Sequence, residues 1–452
     1  MQETPARYRK GYVLGISLIA AMGGIMFGFD LGVITGVIPF IQKQFLLSGF
    51  ALGWVVAIFE LGAVAGTFLA GWLAEKTGRK KALLLAAFSF LITTVGIALS
   101  GNAWALSVWR FFQGLGVGAV SVLSPMYIAE IAPAKIRGKL VSVNQLSIII
   151  GFILATVCCY YFGDPVQLES WRWMFGSAML PALLFFIALF FIPESPRWLV
   201  KAQLQGQAKK VLQKIGNDVY VLHELNGIND SLRSTGPQGS YRDLFKKAML
   251  PVLFIGFGLA ILQQLCGANN VTAYMQVIFE KANISIKDGL LNAVFVALVF
   301  FVFTLLAILL VDRMGRKKLM LTGTSLMALF LFLLAWSFHQ PVINGKLVFV
   351  FIMGYTGTYA FSLAPVTWVL LSEIFPNYIR SKALSLSSCV LWLATFLVVL
   401  ISPWLLKLSP VINFVIFGIL NVLGIFFVGR YVPETKGRSL EEIERTLFKK
   451  TA

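Results

Sequence analysis

Charge is scarce in this chain. Asp, Glu, Lys and Arg make up 13% of its 452 residues, about half the ~25% of an ordinary soluble domain. Acids number 20, cysteines 4 and histidines 2. Cys158, Cys159, Cys266 and Cys389 all lie inside apolar runs, so neither a disulfide framework nor a zinc site is indicated. His223 falls in a polar segment and His339 near the end of an apolar run, with no metal or nucleophile constellation around them. An enzyme is therefore the least expected class, and no cofactor is implied. What the chain has instead is apolar surface: 58% hydrophobic residues, 39 of them Phe, and a mean hydropathy of +0.82. A soluble globule cannot hide that much, so the class is an integral membrane protein.

Twelve runs free of charge, or nearly so, can be counted: 11–29, 44–74 (broken by Glu60), 82–109, 111–129, 140–163, 173–193, 248–279, 289–311, 319–345, 347–372, 383–406 and 408–429. Each is long enough to cross ~30 Å of hydrocarbon as a helix. Arg7, Arg9 and Lys10 before the first run resemble a signal peptide, but the run reaches Asp30 without a small-residue cleavage site, so an uncleaved first span is expected.

The net charge of +18 does not mark nucleic acid, because the bases cluster in short loops between apolar runs. One set of loops holds Lys76 and Arg79 to Lys81, then Lys135, Arg137 and Lys139, then Arg313 and Arg316 to Lys318, then Arg380 and Lys382. The alternate loops carry scattered charges such as Lys43, Arg172, Lys281, Lys346 and Lys407. Basic loops and both tails are expected on the cytoplasmic face of a cell membrane.

The polar stretch 194–247, with amphipathic pieces such as 207–215, reads as a cytoplasmic helical linker. It divides an N-terminal six-helix bundle (1–193) from a C-terminal one (248–433), which a tail (434–452) follows. The halves repeat. Gly78-Arg-Lys-Lys81 answers Gly315-Arg-Lys-Lys318, Glu130…Arg137 answers Glu373…Arg380, and Pro193-Glu194 answers Pro433-Glu434, at offsets of 237, 243 and 240. Parallel six-span repeats imply a transporter with its site between the halves, opened alternately to each side.

The chain resembles the sugar porter family of the major facilitator superfamily along nearly its whole length. The matching segments are Gly71-Trp-Leu-Ala-Glu-Lys-Thr-Gly-Arg-Lys80, Pro125-Met-Tyr-Ile-Ala-Glu-Ile-Ala-Pro-Ala-Lys-Ile-Arg-Gly138, Pro193-Glu-Ser-Pro-Arg197, Gln263-Gln-Leu-Cys-Gly267, Trp368…Glu373…Arg380 and Pro433-Glu-Thr-Lys-Gly437. In appearance it stands nearest to bacterial proton-coupled monosaccharide symporters. The resemblance implies twelve helices in two bundles and import of a hexose, pentose or related polyol with a proton. The alternative is a facilitative uniporter using the same site. A transporter-like receptor would be expected to carry a long cytoplasmic tail. The expected partners are sugar or polyol, protons and the bilayer, with no nucleic acid, and the expected state is a monomer.

A carboxylate at membrane depth is costly and marks function. Asp30, in Gly23-Gly-Ile-Met-Phe-Gly-Phe-Asp30, is by resemblance the proton carrier; the other reading is a helix-end acid that sees water. Arg110, which opens the fourth run, is by resemblance its partner, since a nearby cation favours the charged carboxylate; the other reading is a snorkelling arginine. Glu60 interrupts the second run, and its role stays open between a titrating group, a substrate contact, an Arg110 partner and a harmless pairing.

Resemblance also implies sugar contacts at Gln145, Gln263, Gln264, Asn269, Trp368 and Trp392, with Tyr274 as an aromatic gate. Amides both donate and accept to hydroxyls, and Trp offers a face to sugar C–H groups; amides in spans also glue helices together. Phe300, Leu391 and Thr395 stand where the family pattern has amides, so the C-terminal side of the pocket is less polar and the sugar's identity is open. Finally, Glu75, Arg79, Glu130, Arg137 and Glu194 in one half, and Asp312, Arg316, Glu373, Arg380 and Glu434 in the other, are implied as a charge latch. It would join bundles and linker in the outward-open state.

Overall fold

A computed structural model describes residues 7–133, 136–234, 241–247, 249–376 and 378–436. Among the described residues, twelve helices are long and apolar enough to cross a membrane: Lys10–Gln44, Gly49–Thr77, Arg79–Ala98, Ala103–Ile131, Arg137–Phe162, Leu168–Phe191, Leu250–Ala273, Ile286–Val311, Arg316–His339, Gly345–Ile374, Lys382–Leu408 and Pro410–Tyr431. They are called the first to twelfth spans below. All twelve correspond to the runs counted in the sequence, with one instructive shift. The first helix does not stop at Asp30 but runs on to Gln44 through Pro39. One charge is not a helix terminator when its partner is supplied from elsewhere, and Asp30 therefore sits mid-helix.

Within the N-terminal half the first span packs along the fifth and the second along the fourth. The C-terminal half repeats the pairing of the eighth span with the tenth, and the seventh with the eleventh. Between halves the second span packs on the eleventh and the fifth on the eighth, the pattern of two related units facing each other. The first–fifth seam is backbone on backbone: a Cβ at Gly28 would lie 1.7 Å from the carbonyl oxygen of Ile148. Small residues let membrane helices approach closely where apolar lipid gives no drive to associate.

Two C-terminal spans are broken. The seventh runs as Leu250–Leu265, turns at Gly267 with φ +93°, and resumes as Ala268–Ala273 and Met275–Lys281. The break frees the Cys266 carbonyl, which accepts from Tyr355 Oη and Asn421 Nδ2, each at 2.9 Å. Membrane proteins tolerate such breaks where neighbours satisfy the backbone. The tenth span breaks at Ser362.

Between the halves lie helices Pro196–Lys201, Gln205–Ile215 and Asp218–Ser234. The second buries Ala208, Leu212 and Ile215, the amphipathic face expected of 207–215. Residue Arg9 of the N-terminal segment donates its backbone N–H to Ile215 O at 2.7 Å, tying that segment to the connection.

The bonds between halves gather at the end away from the basic loops. Lys43 pairs with Glu280 at 3.3 Å, Thr35 Oγ1 donates to Thr272 O at 2.9 Å, and Lys287 Nζ donates to Tyr160 O at 2.5 Å. The structure is thus closed on the side opposite the basic loops.

Candidate functional site at the interface of the two halves

Asp30 and Arg110 meet, as the resemblance implies. Each is only 2% exposed, and Arg110 Nη1 donates to Asp30 Oδ1. The same nitrogen donates to Gln113 Oε1 at 3.1 Å. The guanidinium carbon lies 4.6 Å from the centroid of Phe59 and 5.7 Å from that of Phe175. Aromatic faces stabilise a desolvated cation. Both bland readings therefore fall: Asp30 is not a water-facing helix end, and Arg110 does not snorkel. Glu60 is 6% exposed, and its Oε2 has no hydrogen-bond partner among the described residues. Gln113 and Phe59 were not singled out from sequence; Gln113 lies one turn beyond Arg110, a usable signal.

Across the interface the amides form one chain. Asn269 Nδ2 donates to Gln264 Oε1 at 2.6 Å, Gln264 Nε2 to Gln263 Oε1, and Gln263 Nε2 to Tyr359 Oη at 3.0 Å. The break at Gly267 makes this possible, because it lets Asn269 fold back toward Gln264. Each amide retains a second N–H and further lone pairs for a ligand. Tyr359, on the tenth span, was missed from sequence. Its ring lies 6.1 Å from Phe300, and Phe300 lies 6.1 Å from Phe152 of the other half. Phe300 thus puts an aromatic bridge where an amide was expected. Thr395 spends its hydroxyl on Leu391 O at 2.9 Å.

Trp392 is 7% exposed and packs on Phe27 of the first span at 5.6 Å between centroids. Trp368 is 40% exposed on a helix segment that packs against its own half. Gln145 is half-buried. Tyr274 is fully buried and donates to Val399 O at 2.7 Å, which ties the broken seventh span to the eleventh. Its hydroxyl is engaged in this structure.

At the other end the charged residues pair within each half and with the connecting segment. Arg79 grips Glu130 through Nε and Nη2, both at 2.9 Å, and Arg316 reaches Glu373 at 3.2 Å. Each pair lies inside one half, so in this form it fastens helix ends of a single bundle. Glu194 accepts the backbone N–H of Arg79 at 2.8 Å and of Lys80 at 3.1 Å. Glu434 does the same for Arg316 at 3.0 Å and Lys317 at 3.2 Å. Glu75 reaches the connecting helices through Lys201 at 3.1 Å, and Glu130 accepts from Ser195 Oγ at the start of the first of them, at 2.5 Å. Spacing along a chain tells which charges share a membrane face, not which of them pair. Arg137 is exposed at the start of the fifth span, and Arg380 Nε donates to Phe375 O at 3.0 Å. The Asp312 side chain lies outside the described residues.

The profile of the family described as "Sugar (and other) transporter" matches residues 16–447. An arabinose-proton symporter of Bacillus subtilis is 37% identical over 452 residues, covering 98% of this chain and 96% of that one. A D-xylose-proton symporter of Escherichia coli is 37% identical, covering 97% and 96%. Among solved structures, an inward-open xylose transporter of E. coli superposes with a TM-score of 0.83 at 36% identity, covering 96% of this chain and all of that one. A proton:xylose symporter bound to 6-bromo-6-deoxy-D-glucose gives 0.79 at 37% identity, with 97% and 100% covered. A buried acid–arginine pair facing an amide chain across two repeated six-helix bundles, on a chain matched end to end by these relatives, places it in the sugar porter family of the major facilitator superfamily.

Proposed function

We propose that this chain imports a pentose, a hexose or a related polyol together with a proton, by alternating access. Asp30 carries the proton, Arg110 governs its release, and the sugar binds between the amide chain and the first and fifth spans. The observation that supports this most is the Asp30–Arg110 pair, an ion pair within the spans almost removed from solvent. Removing two charges from water is costly, and ionisable residues kept inside spans mark function. With basic loops and both termini cytoplasmic, closure at the opposite end corresponds to the inward-facing half of the cycle. No cofactor is needed beyond the proton, and the working unit is a monomer in a cell membrane. The test is uptake in proteoliposomes with and without a pH gradient, across pentoses, hexoses and polyols. Alkalinisation of the outer medium on sugar addition separates symport from facilitated diffusion.

Gln264→Ala should weaken sugar binding by ~1–3 kcal/mol, the cost of leaving buried hydroxyls unpaired, roughly five- to hundredfold in Kd. Gln264 is the middle link, accepting from Asn269 and donating to Gln263. Unchanged affinity by calorimetry would reduce the amides to helix packing.

Arg137 and Arg380 remain the candidates for state-specific contacts, because the Arg79 and Arg316 pairs are already made in a form closed on the other side. Arg137→Ala and Arg380→Ala should shift the population toward inward-facing forms, since a contact made in one state alone biases the equilibrium. Distances between spin labels on the two cytoplasmic ends report this; unaltered distributions in both variants would leave these arginines as topology markers.

A further inference from the structure

Glu60 has no role in the scheme above, and yet it is placed at the centre of it. It lies in the second span, next to Phe59, whose ring carries the Arg110 guanidinium at 4.6 Å. A Cβ at Gly114 would stand 2.0 Å from the Phe59 carbonyl oxygen, so the second and fourth spans touch backbone to backbone at this level. Asp30 and Arg110 both interact electrostatically with Glu60, and so does Tyr274 of the seventh span. Among the described residues, Asp30 and Glu60 are the two acids buried beyond nine-tenths. Their situations differ. Asp30 holds Arg110, whereas Glu60 Oε2 has no partner among the described residues, and neither has Arg110 Nε.

A buried carboxylate without a cation or donor is unfavourable as an ion and takes a proton instead. Two carboxyls and one guanidinium are neutral with one proton aboard and carry one negative charge without it. Two buried carboxyls that interact electrostatically cannot both ionise cheaply. We propose, building on the symport reading, that Glu60 is a second proton-binding carboxyl of the coupling cluster, and that Arg110 pairs with whichever of Asp30 and Glu60 is ionised. In the arrangement seen, Asp30 is the ion and Glu60 holds the proton. When Asp30 is protonated, Arg110 moves to Glu60, presenting the Nε that is unused here. The transfer breaks one O–H bond at one carboxyl and forms one at the other, and Arg110 stays charged throughout. Release of the proton leaves both carboxylates sharing Arg110, with the single negative charge of the empty carrier.

Infrared spectroscopy of the purified protein at neutral pH tests the exchange without requiring transport. Wild type should show the carbonyl stretch of a buried protonated carboxyl, shifted in D2O. Glu60→Gln should abolish it. Asp30→Asn should abolish it too, although Glu60 is still present, because Glu60 then ionises against Arg110. No such band in wild type, or a band that survives Asp30→Asn, overturns the exchange; the second variant decides the matter if Glu60→Gln does not fold. In vesicles, Glu60→Gln should lose sugar-driven alkalinisation relative to counterflow in the same preparation, whereas an unchanged ratio and pH profile would make Glu60 structural. Absence of alkalinisation in wild type would instead defeat the symport reading, leaving the infrared result to judge the cluster by itself.

Discussion

Asp30→Asn is expected to abolish proton-driven accumulation while leaving sugar counterflow. One charge moved across 100 mV is worth about 2.3 kcal/mol, which supports roughly a fiftyfold sugar gradient at 1.4 kcal/mol per decade. With asparagine at 30 the internal sugar should rise only to the external level. The amide keeps an oxygen for the Arg110 N–H, so the local geometry is kept, but it binds no transported proton. Exchange of labelled for unlabelled sugar needs no net proton movement and survives. Radiolabelled uptake with an imposed potential, followed by counterflow in the same vesicles, makes the comparison. Retained accumulation would remove Asp30 from the coupling path. The 2% exposure of both partners sharpens the expectation, because a pair screened by water would be worth under a kcal/mol.

The largest structural effect should come from Gly28→Leu. The added Cβ would meet the Ile148 carbonyl oxygen at 1.7 Å, and that atom is backbone, so no rotamer relieves it. Overpacking a close-packed interior costs ~1–3 kcal/mol when side chains can shift, and more when a backbone must. The first span carries Asp30 two residues on, and the fifth carries Gln145, so separating them also spoils the site. Gly15→Leu is the matched control: it is on the same helix, and a Cβ there would meet nothing within 4 Å. The fraction of monodisperse protein after detergent extraction, with the thermal unfolding midpoint, should fall sharply for the first and stay near wild type for the second. Equal behaviour would mean the first–fifth seam is looser than its geometry.

The twelve spans were legible because hydrocarbon imposes one simple demand, ~20 apolar residues, and the chain meets it twelve times. The Asp30–Arg110 meeting was legible through the family resemblance, since the residues alone left a water-facing acid and a snorkelling arginine open. The break at Gly267 was not, because run 248–279 is uncharged throughout and hydropathy is blind to a single positive φ. Tyr359 escaped notice because one tyrosine among aromatics carries no signal until a helix break aims Gln263 at it. The pairing at the charged ends was not legible for a third reason. Glu130 and Arg137 are two helical turns apart in sequence, but the helix ends between them and Arg79 arrives from the third span.

One small arrangement at those ends has a mechanical meaning. The carboxylates of Glu194 and Glu434, each at the finish of a six-helix unit, clamp the first amides of that unit's own third helix. Each acts as a rivet, closing its bundle on itself. A push delivered at the gate therefore swings a whole half as a stiff lever arm, and the force reaches the sugar instead of being dissipated in peeling away the last helix.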